Sequence, residues 1–283
     1  MQQLRILKQQ LRGIVVAFVI IPALLSSGGL AAADGPTALY SYNFLGTSGT
    51  VANTGNYNPT LSLALLGSWT PSATGANFAG DTVSQQSVAF AKPATGYSLN
   101  LTAAQTVGFG AHFTYLAPTN GCFADSPNIT QIGRFAANTA QAKLQYSNCT
   151  KGATSEYIQC RFAGVLTPTS VLPIISTQAL QNGSKYVVTC VKSADNGQTA
   201  TVTLSVTRLG GSYGNVTTVD TYTVAATGAL QTKAAVSVAN KYPLPSISNN
   251  TDQFVGDMAK VAYCGSSLAS DVTSCLTTEL PLQ

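Results

Sequence analysis

The chain of 283 residues carries 14 Lys and Arg against 10 Asp and Glu, and only 8% of its residues are charged. Three of the cations, Arg5, Lys8 and Arg12, precede residue 34 and none of the acids does, so the remainder is close to neutral. That balance excludes an electrostatic grip on nucleic acid, which needs clustered cations to displace counterions from phosphate.

In chain order the first element is an export signal. The three cations form a basic start, the apolar run Gly13 to Leu25 follows, and the stretch Ser26 to Ala33 ends in Ala31-Ala32-Ala33. The apolar run holds Pro22 and falls short of the ~20 residues that a membrane-crossing helix needs. Residues 1–33 are therefore expected to be a helical signal peptide cleaved after Ala33. The mature chain is expected to be secreted, extracellular or at the cell surface, without stable insertion in a membrane.

Beyond residue 34 the hydrophobic period is two. Val107, Phe109, Ala111, Phe113 and Tyr115 alternate with Gly108, Gly110, His112 and Thr114, and Val202, Leu204 and Val206 alternate with Thr201, Thr203, Ser205 and Thr207. Further strands are predicted over 39–45, 61–66, 82–91, 129–135, 143–147, 216–224, 235–240 and 254–263. Asn120-Gly121, Asn182-Gly183, Asn196-Gly197 and Gly210-Gly211 supply the positive φ of tight reversals. The stretch Pro168 to Pro173 reads as a long loop. Scattered cations such as Lys143, Arg161 and Lys233 read as solvated strand faces. Ten or more short strands, with no amphipathic helix before the last dozen residues, predict an all-β domain of two antiparallel sheets packed as a sandwich, with a jelly roll accommodating the strand number.

All six cysteines lie in the exported part, where disulfides persist. Six allow about 15 pairings. Strand phase puts Cys160 on the face of Ile158 and Phe162 and Cys190 on the face of Tyr186 and Val188, so both point inward, as from neighbouring strands. The expected bridges are Cys160–Cys190, Cys122–Cys149 across the preceding hairpin, and Cys264–Cys275 at the C-terminus. A zinc site is disfavoured, since no Cys-x-x-Cys occurs and His112 is the lone imidazole.

The stretch Phe254-Val255-Gly256-Asp257-Met258-Ala259-Lys260-Val261-Ala262-Tyr263 resembles the closing strand of laminin-G-like, concanavalin A-like domains. Tyr40-Ser41-Tyr42-Asn43-Phe44 is similar to the opening strand of that family, Asn77-Phe78-Ala79-Gly80 to its Phe-x-Gly turn, and Val107 to Tyr115 to its aromatic central strand. Gln131-Ile132-Gly133-Arg134, Lys143-Leu144-Gln145 and Asn182 to Lys192 fall where the next strands belong. Lys185-Tyr186 stands where many relatives have Trp-His. The resemblance implies a laminin-G-like sandwich over 34–265, followed by a disulfide-stapled tail at 266–283. It also implies a secreted module that binds a glycan, a carbohydrate on a cell surface or an extracellular protein, sometimes with calcium.

The residues set limits on chemistry. Glycoside hydrolysis uses two carboxylates across a cleft, yet the mature chain has two glutamates, Glu156 and Glu279, and dispersed aspartates that read as solvated turn residues. Asp252 and Asp257, five apart, would face opposite sides of a strand. His112 has no Gly-x-Ser-x-Gly elbow to serve. The expectation is thus a non-catalytic binding module, with no catalytic residue. Trp69 and Tyr213, both in loop-like contexts, are the candidate ligand platforms, and Asp81, Asp125 and Asp252 the candidate calcium ligands, calcium being the one cofactor considered. The alternatives are a structural or adhesive envelope protein and, less favoured, a polysaccharide-active enzyme.

Overall fold

In the computed structural model the described residues are 38–58, 60–78, 87–118, 123, 126–133, 141–147, 155–167, 173–211, 214–241 and 252–283. The expected signal peptide, Asp81, Asp125, Tyr213 and the Cys122–Cys149 pair lie outside them. The strands in chain order are β1 (Ala38–Asn43), β2 (Thr50–Val51), β3 (Leu63–Gly67), β4 (Trp69–Ser72), β5 (Gly75–Phe78), β6 (Ser87–Ala91), β7 (Leu99–Leu101), β8 (Thr106–Tyr115) and β9 (Asn128–Ile132). They continue with β10 (Gln141–Tyr146), β11 (Tyr157–Ala163), β12 (Ile174–Ala179), β13 (Lys185–Lys192), β14 (Thr199–Gly211), β15 (Gly214–Ala225), β16 (Leu230–Thr232), β17 (Val236–Val238) and β18 (Gly256–Ser266), before the helix α1 (Ala269–Glu279).

Two large antiparallel sheets result, as the alternation predicts, and they form the β-sandwich of a jelly-roll type of fold. The first runs β15-β14-β13-β8-β18-β5-β4, with β1 also paired to β18, and the second runs β12-β11-β10-β9-β17-β6-β3-β2. Inward residues of both interdigitate. Phe109 of β8 meets Phe162 of β11 edge-on at 5.2 Å and stacks on Tyr263 of β18 at 5.5 Å, which is how aromatic pairs gain beyond their buried area. The strands β4 and β5 fall where the sequence signalled a loop and a turn, and β12 follows the expected loop in a stretch for which no strand was predicted; pairing with neighbouring strands supplies what local pattern does not.

Cys160 and Cys190 are joined. Their strands, β11 and β13, belong to opposite sheets rather than lying side by side, so this bridge crosses the sandwich interior. Phase tells which face a sulfur takes and not which sheet carries it. Cys264 is joined to Cys275 on α1. That helix lies on the outer face of the first sheet, where Val272, Cys275, Leu276 and Leu280 bury against Val187, Ala262 and Cys264. Its seat is made by absent side chains. A Cβ on Gly108 would stand 2.6 Å from Val272 Cγ1 and 2.7 Å from Leu276 Cδ1, and one on Gly110 would stand 2.8 Å from Leu280 Cδ1.

Candidate functional site on the outer face of the second sheet

The alternation that sends Ile132, Leu144, Ile158 and Phe162 inward sends Gln131, Lys143, Gln145, Gln159 and Arg161 to the opposite face of β9, β10 and β11. Register then lines them up. Ser237 of β17 pairs with Gln131, Gln131 with Lys143, and Lys143 with Arg161, giving one polar row across four strands. Gln145 and Gln159 form the adjacent pair, and the Gln145 amide donates to the Gln159 carbonyl.

This face is not the solvated surface that isolated cations on strands suggest. Ser237 is 1% exposed, Gln145 2%, Gln131 4% and Lys143 9%. Burial lowers the Arg161 pKa from its ordinary value, since water that would solvate the guanidinium is displaced. Gln145 Oε1 and Ser237 Oγ have no hydrogen-bond partner among the described residues, and an unmet polar atom at such depth costs about 1–3 kcal/mol. One guanidinium, one ammonium, three amides and a hydroxyl are thereby gathered on a single face. Arg is suited to fork-like binding of carboxylates, and amides donate and accept toward sugar hydroxyls.

The residues singled out in the sequence fall elsewhere. Trp69 is not in a loop: it opens the edge strand β4 opposite Phe78, half-buried against the core. Asp252 is buried in an ion pair with Lys241 at 2.7 Å, so its carboxylate is already engaged rather than open to calcium. No three His, Cys, Asp or Glu side chains converge as a metal site among the described residues. Glu156 is buried, not solvated. Its Oε1 accepts from the Phe123 amide at 2.9 Å, and burial pushes its pKa from 4.5 to about 7.

His112 projects from β8 on the outer face of the first sheet, beside Lys260 of β18, and shares a cavity of about 290 Å³ with Lys185 and Lys260. Its pKa is lowered by burial first and then by the two ammonium groups.

No protein-family model and no curated protein matches the chain. Among solved structures it is similar to a marine PL-14 alginate lyase from Aplysia kurodai, at 7% identity and a TM-score of 0.38, over 81% of this chain and 97% of that one. The solved chain is a lyase. The expectation of a non-catalytic module with no enzymatic role is therefore corrected and withdrawn. A likeness this distant transfers neither residue roles nor substrate, and the site is argued from its own side chains.

Proposed function

We propose that the chain is an exported polysaccharide-active enzyme whose site is the outer face of the second sheet, and that its substrate is a polymer of carboxylated sugars. The observation that carries this reading is the cross-strand row Ser237, Gln131, Lys143 and Arg161 beside Gln145 and Gln159, sunk below the surface with two acceptor atoms unmet among the described residues. Arg161 and Lys143 supply positive charge against a sugar carboxylate, and the amides hold the ring hydroxyls in register.

The described residues of this face include no pair of carboxylates for acid and nucleophile roles. Eliminative cleavage asks for a different set. A base removes the proton beside the sugar carboxylate, the freed electron pair forms a carbon–carbon double bond, and the glycosidic oxygen leaves and takes up a proton. Cations at the carboxylate stabilise the charge that develops there. In this reading Arg161 is the group that neutralises the carboxylate, while its register partner Lys143 and Tyr157, which has the same strand phase as Gln159 and Arg161 on β11, are the proton carriers at hand.

The test is incubation of the purified mature protein with alginate, polygalacturonate and hyaluronan, following the ultraviolet absorbance of the new double bond. Absorbance should rise with at least one polymer, and Arg161→Ala should reduce the rate at least about 100-fold, the scale of losing one charge-stabilising donor. Absence of unsaturated product from every uronate polymer, with the circular dichroism of a folded β-protein, overturns the reading.

A further inference from the structure

On the opposite side of the molecule, the outer face of the first sheet carries a second polar cluster that the proposed reaction does not use. We infer that the cavity between β8, β13, β18 and the segment after α1 is a binding site for a multiply charged oxyanion, a sulfate or phosphate group, held by His112, Lys185 and Lys260.

Three strands supply these groups. Lys260 is the direct register partner of His112, and Lys185 pairs with Thr114, the next outward residue of β8. Thr114 adds a hydroxyl to the same cavity of about 290 Å³, and Pro281 and Gln283 close it from the side of the helix. Among the described residues neither lysine forms an ion pair. The nearest acid on β18, Asp257, pairs with Thr114 in register, but its two oxygens accept from Asn77 Nδ2 at 2.7 Å and Thr74 Oγ1 at 3.2 Å. On the helix side, Glu279 accepts from Ser41 Oγ at 2.5 Å. Neither of these side chains lines the cavity, and the α-carboxylate of Gln283, which borders it, forms no ion pair with either lysine among the described residues.

Lys185 on β13 and Lys260 on β18 flank β8 from either side, so a proton on His112 would meet a like charge on each neighbouring strand, which costs stability. In a chain with so few cations, three cation-capable groups converging on one hollow therefore call for a counter-charge, and an oxyanion there turns each repulsion into an attraction. The lowered pKa of His112 is what the hollow does without one, burial and the two ammonium groups both opposing its proton. The geometry is independent of the site on the second sheet, so either inference can fail alone.

His112 is the only histidine in the sequence, so a tag-free protein gives one imidazole titration by NMR. With inorganic sulfate or phosphate at ionic strength matched by chloride, its pKa should rise by about 0.5–1 pH unit and saturate with anion concentration. A sulfated dextran should act at lower concentration than free sulfate if the group belongs to a polymer, and no better than sulfate if it is a free ion. Lys185→Gln combined with Lys260→Gln should remove the saturable response. A shift no larger than chloride produces, or an equal shift in the double variant, overturns the inference.

Discussion

Glu156 makes the stability of this domain fall as pH rises, and the size of the fall follows from its surroundings. The carboxyl belongs to the residue just before β11 and is buried, with one oxygen accepting from the Phe123 amide, and burial lifts its pKa from 4.5 to about 7. The folded form thus holds the proton where the unfolded chain has released it. Below pH 4.5 both states are protonated and nothing is lost; between 4.5 and about 7 the unfolded state gains by ionising, and stability drops; above about 7 the full penalty stands. The span sets an upper limit of roughly 3 kcal/mol, and solvent screening brings the expected loss to roughly 1–2 kcal/mol. Glu156→Gln keeps the acceptor for Phe123 and cannot ionise. Urea unfolding at a series of pH values should show the wild-type midpoint falling relative to that of the variant between pH 5 and 8. A difference curve that is flat, or that rises with pH, would refute the account of this carboxyl.

His112 should act in the opposite sense. Its folded pKa lies below the ordinary 6.5, so the unfolded state binds the proton better as pH falls through that region and stability declines there; His112→Gln should remove this acid-side decline, read in the same unfolding series. The buried pair of Lys192 and Asp195, at 2.6 Å, ties the β13–β14 turn to Gly228 through the second oxygen of Asp195. Asp195→Asn leaves the ammonium buried without its counter-charge and should cost about 3–5 kcal/mol in denaturant unfolding. Gly108→Val puts methyl groups where Val272 and Leu276 sit, so α1 should be cleaved by protease faster than in the wild type while the far-ultraviolet β-signal persists.

The two-layer architecture was legible because the long strands alternate cleanly: Val107, Phe109, Ala111 and Phe113 are all buried, as are Val202, Leu204 and Val206. What phase does not carry is the identity of the facing layer, and so Cys160 and Cys190 are seen to point inward without revealing that they meet from opposite sheets. The outward positions of β8 misled for a related reason. Gly108 and Gly110 look like the open side of a half-buried strand, whereas they are the floor under α1, whose own apolar stripe is reduced to Val272, Cys275 and Leu276. The polar face of β9, β10 and β11 was hidden in plain view. Gln131, Lys143, Gln145 and Arg161 have the pattern of solvated residues, and only register, set by pairing between distant segments, assembles them into one sunken row. Trp69 drew attention by its rarity, but it serves the edge of the core.

The link between Cys160 and Cys190 spans one of the crossings of the chain between the layers, that from β11 and β12 to β13, and its ends lie 30 residues apart along the sequence. A protease that cuts anywhere inside that stretch does not release a fragment: the two halves stay covalently joined through the middle of the protein. A nick in this crossing is a scar rather than a dismemberment.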